Sequence, residues 1–424
     1  MAISDYEPDL TEEEKAICDT VHRFAEEVMR PAGVALDALA DPADVIAPDS
    51  VLYDVFKRYH ALGIDQIGTT ATDLTPAQQA RLRCIVAEEL GWGDAGLAIS
   101  LGVSGFPRML AALSGNPELI ERVSGEDRIG CWPITEPDHG SDLILYLKQP
   151  KDVPGTPNCV AVKDGDSFVI RGQKSAWVSN GTIATDAALF CSVDLGDGEK
   201  GSAAFVVPLD IDGVKRGKPL DKLGQRALNQ GEIFFDNVRI PAHYVLSEPS
   251  PAINDGGAGL AGANASMSST FSGVARAAFE EALAYTQSRI QGGVPISSHQ
   301  VVQKKLFDMF MRVQAARALS RKANQRLLSG LPTLHYSIAA KVLATRTAFD
   351  VASDASELFG AMGMVKGVLV EALLRDASSR RSSAMPVLRS SRTAQTIRFP
   401  WPVGRTCSAS AKTQTEGEPW NSKK

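Results

Sequence analysis

Near its start the chain reads LTEEEKAICDTVHRFAEEVMRP (10–31), in which Ile17, Val21, Phe24 and Val28 recur at helical spacing behind Thr11 and Glu14. This pattern predicts an amphipathic helix opened by a Thr–Glu capping box. The stretches VLYDVFKRYHALGI (51–64) and ARLRCIVAEELGWGDAGLAISLG (80–102) keep the same period with glycine interruptions, and the whole N-terminal region is expected to be helical. After residue 128 the pattern shortens to alternating runs, SFVIRG, ALFCSV, AAFVVPL and EIFFDNVRIP, separated by Gly, Asp, Pro and Asn. An all-β region follows from that. From residue 264 onward helical faces return, one marked by Val302, Leu306, Met309 and Val313 and another by Ile338, Val342 and Phe349. No internal repeat suggests a solenoid. The expected organisation is α+β: a helical domain at 1–127, a β domain at 128–247, helices at 248–377, and a tail at 378–424 without apolar period.

Composition narrows the reading. A chain of 424 residues exceeds one ordinary core, which agrees with several domains. No apolar run approaches the roughly 20 residues that span a bilayer, so no membrane segment is expected. The formal charge of −6 argues against a nucleic-acid partner. MAISDYEPDLTEEEK lacks the basic start and apolar centre of a signal peptide, and a cytoplasmic location is the expectation. The tail holds nine Lys/Arg against two Asp/Glu, and its +7 leaves −13 for the rest. That fits a poorly ordered solvated end better than a nucleic-acid arm, and its abrupt onset at Ser378 also fits a frameshift relative to related chains. Six cysteines without a CxxC pair read as buried thiols, and six histidines show no metal-ligand spacing.

Three glycine- or hydroxyl-rich stretches carry candidate chemistry. Gly257, Gly259 and Gly262 satisfy GxGxxG, but LSEPSPAIND before them is no hydrophobic strand, so the stretch reads as a flexible linker into a helix. CWPITEPDHGSD (131–142) and GQKSAWVSNG (172–181) place hydroxyls, amides and an indole at strand ends. Thr135, Ser141 and Ser179 are candidate donors to a heteroaromatic ring or a phosphate, and Trp177 is a candidate stacking surface. By residue type alone Trp132 and Trp177 serve equally as core aromatics with the hydroxyls capping turns.

ITEPDHGSD resembles the TEPxAGSD segment of acyl-CoA dehydrogenases, and GQKSAWVSNG resembles their GxKxWITNG segment. Further matches follow in the family's order: the opening helix, EELGWGDAGLAISLG, GQRALNQGEIFFDNVRIPAHYVL, YTQSRIQGGVPISSHQ, and ELFGAMG followed by ALLRDA, together covering residues 8–377. The resemblance implies a helical N-terminal domain, a middle β-barrel or sandwich and a C-terminal four-helix bundle, assembled as a homodimer or homotetramer. It also implies FAD as cofactor, an acyl-CoA substrate desaturated between Cα and Cβ with hydride transfer to the flavin, and an electron-transfer flavoprotein as acceptor. Trp132, Ile134 and Thr135 would line the isoalloxazine ring, with Trp177 and Ser179 on its other side. Gly140 and the substrate-contacting Ser141 would lie where the CoA and flavin sites meet. Arg289, Gln291 and Gln300 would reach the adenine-side phosphates on a neighbouring subunit, with Gly360 also on the flavin.

The family's catalytic carboxylate occupies one of two places, which here fall near Ala384 and near Ala263 and Asn264, none of them acidic. The catalytic base is therefore unassigned, with Asp138 and Glu248 as other acids in the region. Glu357 stands in place of the first Gln of the family's QxxGGxG, Gly292 in place of the Phe of its QFG, and the 143–160 connection is long. These departures leave two alternatives: a non-catalytic or heteromer subunit on the same fold, and other flavin chemistry such as a monooxygenase.

Overall fold

Thr11 Oγ1 accepts from the Glu14 amide and the Thr11 amide donates to Glu14 Oε2 at 2.8 Å, so the expected capping box closes the first turn of α1 (Glu12–Phe24). The computed structural model describes residues 6–7, 9–66, 74–140, 158–196, 199–246, 256–330 and 334–383. The helical path that begins with α1 runs on past Pro31, where the sequence pattern ends. A π-turn at Ala25–Met29 leads into α2 (Arg30–Asp37), and the proline sits in the first turn of that helix, where its missing N–H is tolerated. Then come α3 (Pro42–Val45), α4 (Val51–Ala61), α5 (Pro76–Gly93), α6 (Ala95–Ser104), α7 (Phe106–Ser114) and α8 (Pro117–Val123).

One composition-based expectation needs correction here. The stretch Ala95–Ser114 is by length and hydropathy long and apolar enough to cross a membrane. In the fold it is two helices, α6 and α7, meeting at Gly105, and both contact β1 (Gly130–Cys131).

The β region holds β1, β2 (Val160–Asp164), β3 (Ser167–Ser179), β4 (Asp186–Gly196), β5 (Glu199–Pro208), β6 (Val214–Arg216) and β7 (Gln230–Pro241). β4 is central: β5 pairs with it antiparallel on one edge, while β1 and β2 run parallel to it along the other. β2 pairs antiparallel with β3, β3 with β7, and β7 with β6. Alternate residues such as Phe168, Ile170, Leu189, Phe205, Phe235 and Val238 meet in one core on the sheet's inner face.

Beyond the sheet lie α9 (Gly256–Ser288), a short hairpin β8 (Ile290–Gln291) and β9 (Val294–Pro295), α10 (Gln300–Leu328), α11 (Leu334–Phe359) and α12 (Leu369–Ser383). The four helices pack on one another, and α5 lies against α9 and α10. Gly257, Gly259 and Gly262 are part of α9 rather than a linker. The last helix also overruns the expected end of ordered structure at Ser378. Val370, Leu373 and Ala377 are buried along one face and Ser378 Oγ donates to Leu374 O at 2.6 Å, which carries the helix to Ser383. The rest of the tail, residues 384–424, lies outside the described residues.

Among the contacts that join the N-terminal helices to the later ones, two stand out by burial. Where α5 crosses α9, a Cβ on Gly91 would stand 2.0 Å from Thr270 O and one on Gly273 1.9 Å from Glu88 O, so each helix needs glycine at the crossing. Beside it the fully buried Glu88 accepts from Arg276 at 2.9 Å, Arg317 at 2.8 Å and Arg321 at 2.6 Å, and Arg276 also forks onto Glu89. Burial raises the Glu88 pKa, but the Arg321, Arg317 and Arg276 charges overcome it and hold the carboxyl at about 2. The second contact is the family-like Arg375–Asp376 pair. Arg375 binds Asp37 and Glu371, while the Gln225 amide donates to Asp376 Oδ1 at 2.5 Å. Burial first, and the Asp94 carboxylate second, push Asp376 up to about 8.

Candidate active site

β1 delivers Trp132 to Gly140 as a loop, and the loop is fixed to β3 by four hydrogen bonds. Ser175 N donates to Thr135 O at 2.9 Å, and the Thr135 and Ser175 hydroxyls meet at 2.7 Å. Lys174, wholly buried, donates from Nζ to Ile134 O at 3.0 Å and to Glu136 Oε1 at 2.7 Å. Glu136 and His139 close the loop as a tight backbone bridge, Glu136 N to His139 O at 2.8 Å. Glu136 is buried and also takes the amides of Asn158 at 2.6 Å and Cys159 at 3.2 Å. Two oppositely charged groups with no exposed surface thus staple two sequence-distant segments.

The β3–β7 register is irregular between Lys174 and Val178, and Trp177 emerges from that irregular stretch 65% exposed. Gln230 on β7 donates to Trp177 O at 3.1 Å and to Ser179 Oγ at 3.3 Å, which fixes the strand end beside the indole. Asn180 follows with φ 62°, a left-handed conformation asparagine accepts better than most residues. Its side chain is fully buried, donating to Ser100 O at 2.8 Å and Gly130 O at 3.1 Å and accepting from Ser100 Oγ at 2.6 Å. It thereby joins α6, β1 and the end of β3.

Trp132 lies partly inside. Phe106 stacks on it at 4.3 Å and Phe190 meets it edge-on at 6.0 Å, while its buried Nε1 has no hydrogen-bond partner among the described residues. A Cβ on Gly259 would be 4.0 Å from the indole, so this ring faces the start of α9. Ile134, Thr135 and Gly140 are half-buried alongside. Ser141, Glu248 and Ala384 lie outside the described residues. Asn264 is buried and donates to its own helix at Leu260 O, 2.8 Å, with Ala263 beside it.

The other predicted residues gather elsewhere. Arg289 directly follows α9, Gln291 lies in β8, Gln300 opens α10, and Gly360 follows α11 with φ 62°; all four are exposed. Tyr285 stacks on Phe359 at 4.0 Å and so joins the α9 and α11 ends. Along α9, Gly259 and Arg289 are about 45 Å apart at ~1.5 Å per residue. The structure therefore divides the predicted set into two groups at opposite ends of one helix. Glu357 does not stand as a bare anion, because Lys305 pairs with it and with Asp354.

Sequence reading missed Lys174, Ser175, Asn180 and Gln230. Asn180 had a local signal, an Asn-Gly dipeptide after a strand. Lys174 and Glu136 had none, because ionic residues in alternating strands read as solvent-facing.

The middle of the chain, residues 131–238, matches the acyl-CoA dehydrogenase middle-domain model, and residues 258–383 match the C-terminal-domain model. Cyclohex-1-ene-1-carbonyl-CoA dehydrogenase of Geobacter metallireducens is 31% identical over 379 residues, covering 87% of this chain and 93% of the relative. The chain belongs to the acyl-CoA dehydrogenase family. Among solved structures, butyryl-CoA dehydrogenase from Megasphaera elsdenii superposes with TM-score 0.75 at 25% identity, over 87% of this chain and 94% of that one. A Mycobacterium smegmatis glutaryl-CoA dehydrogenase, solved in complex with FADH2, shares the fold with TM-score 0.73 at 23% identity, over 89% of this chain and 92% of that one. As a family member the chain is an oxidoreductase of the acyl-CoA dehydrogenase type, and the α+β class and family resemblance read from its sequence stand.

Proposed function

We propose that this acyl-CoA dehydrogenase binds FAD against the 132–140 loop and the end of β3, and desaturates an acyl-CoA thioester at Cα–Cβ. One observation carries the reading: Lys174–Glu136 and Thr135–Ser175 staple the loop to β3 while Trp177 stays exposed at the edge of the same strand. An exposed indole beside a fixed hydroxyl is a surface suited to stacking a planar partner. The Trp132 Nε1, buried without an acceptor, adds a donor that a polar ring edge would satisfy. These groups fit a flavin. Bound there, an oxidised flavin supplies the hydride acceptor, while the protein's own groups orient it and exclude water. Ser141 and Gly140 are proposed to meet the thioester end of the substrate.

The separation along α9 supports a homo-oligomer, because Arg289, Gln291, Gln300 and Gly360 are too far from Trp132 to serve the same flavin. They are proposed to bind the adenine-side phosphates of a neighbouring subunit's FAD, with Lys305 offsetting the Glu357 charge nearby. Electron-transfer flavoprotein is the proposed acceptor.

A second reading has its own support. Asn264 is bonded into its own helix and Ala263 carries no acid, so a binding subunit without turnover is the alternative. The deciding test reconstitutes the protein with FAD and follows the flavin absorbance anaerobically with a panel of acyl-CoAs. Bleaching is expected for desaturation. A spectrum that shifts without bleaching establishes the binding subunit, and a protein that retains no FAD removes both readings.

A further inference from the structure

β2 and β4 run parallel with Val160 opposite Ser192; Cys191 stands one residue earlier on β4, and Cys159 immediately precedes β2. Ser192 N donates to Cys159 O at 3.1 Å, so the backbones are in contact at that point. Both side chains enter the inner core of the sheet, 0% and 2% exposed, and both are free thiols. Neighbouring strands lie about 4.8 Å apart, within the roughly 4.4–6.8 Å of Cα separation that a disulfide spans.

We propose that Cys159 and Cys191 are a reversible disulfide site, oxidised by small hydroperoxides, that acts on the loop behind the candidate active site. Chemistry assigns the roles. The Cys191 S–H, and then the buried Lys174 ammonium, hold Cys159 below the ordinary thiol range against burial and the Glu136 charge. Cys191 is held above it, first by that same bond and then by burial. Cys159, whose amide binds the same Glu136 carboxylate that the Lys174 ammonium holds, is the attacking sulfur in this scheme. Its thiolate takes one oxygen from the hydroperoxide, giving a sulfenic acid and releasing an alcohol, or water from hydrogen peroxide. The Cys191 thiol then attacks the sulfenyl sulfur, forming the S–S bond as water leaves. Two thiols lose two hydrogens and one peroxide is reduced. Burial of both sulfurs excludes bulky disulfides such as glutathione, so the oxidant in this scheme is one little larger than water.

Consequence follows from position. The Cys159 amide donates to Glu136, the acid held by Lys174, and Cys159 Cα lies 2.6 Å from where a Cβ on Gly172 would stand. Gly172 has φ 129° and begins the segment that leads to Lys174. Drawing Cys159 onto Cys191 thus pulls on the staple that holds Ile134 and Thr135. This last link rests on the proposed flavin site, whereas the disulfide does not.

The test exposes the full-length protein to hydrogen peroxide, with and without FAD, then alkylates free thiols and maps peptides by mass. Oxidation of Met109, which is 45% exposed on α7, serves as the internal measure of dose. A Cys159–Cys191 linked peptide, lighter by two hydrogens and cleaved by dithiothreitol, is the expected result. In Cys191→Ala a sulfenic acid at Cys159 should be trapped by a β-diketone reagent present as the oxidised protein is unfolded in urea. Recovery of both cysteines as alkylated thiols once Met109 is oxidised overturns the proposal, as does over-oxidation without linkage. Release of FAD should be faster from the linked protein. Unchanged release with the link formed removes the action on the site while leaving the disulfide.

Discussion

At the residue scale, Lys174 decides more than its size suggests. It is a charged side chain with no exposure, and its partner Glu136 is equally buried. Removing one member of such a pair leaves the other unpaired in low dielectric, at about 3–5 kcal/mol, whereas replacing both with neutral groups is far milder. Lys174→Met should therefore lower unfolding stability by that amount in urea titrations, and adding Glu136→Gln should restore a large part. Equal loss in the single and double variants would show that the pair does not hold the loop. A second residue-scale effect runs with pH. Asp376 has its folded pKa raised to about 8 from 3.8, so its contribution is fully present below 3.8 and is lost as pH rises through 8, at no more than about 1.4 kcal/mol per pH unit. Glu88 has the opposite sign: it is depressed from 4.5 to about 2, so its contribution is present above 4.5 and disappears as pH falls through 2. Asp376→Asn keeps an acceptor for the Gln225 amide and removes the proton. Its Tm should exceed the parent's at pH 8 and approach it near pH 4; a variant less stable at both would contradict the raised carboxyl.

At the element scale, what the sequence revealed depends on whether the signal was local. The α1 capping box needs only Thr11 and Glu14 three residues apart, and it was legible. The strands from 160 to 241 were legible because one face is buried and one is not, as the alternation in Ser167–Ser179 shows. The crossing of α5 and α9 was not. Gly91 and Gly273 look like helix-weakening residues in isolation, and their reason lies on another helix nearly two hundred positions away. The same applies to Gly257, Gly259 and Gly262, which read as linker until the indole of Trp132 stands beside the helix. Within the site, the loop and strand motifs were legible as hydroxyl-rich segments, but the ion pair joining them was visible only in three dimensions. The crossing makes its own prediction. Gly273→Ala places a methyl where Glu88 O already is, so α9 must move away from α5. A loss of about 1–3 kcal/mol is expected, with a Tm decrease in calorimetry, although alanine is the better helix former. A more stable Gly273→Ala protein would mean that the helices separate without cost.

At the scale of the whole molecule, the distribution of exposed apolar side chains belongs with the division of the candidate site. Ile290, Val294, Val301, Phe307, Met311, Met362, Met364 and Val365 are all between 41% and 77% exposed, and all belong to the hairpin, α10 or the turn after α11. Single exposed apolar residues are ordinary, but a group on neighbouring elements marks a surface that another molecule covers. Arg289, Gln291, Gln300 and Gly360 lie on the same elements, which links self-association to cofactor binding under the proposed function. A charge placed in this surface should act on both. Phe307→Asp, with its side chain 65% exposed, opens no cavity in the monomer and should leave its secondary structure unchanged. Light scattering after size exclusion should show it shifted to monomer, with FAD retained more weakly than in the parent. If the variant dissociates and still holds FAD as tightly, the four residues at the far end of α9 do not bind a neighbour's cofactor, and each chain completes its own site. If it remains associated, the apolar surface is not the contact, because an aspartate desolvated without a partner in the centre of an interface is too costly to be accommodated.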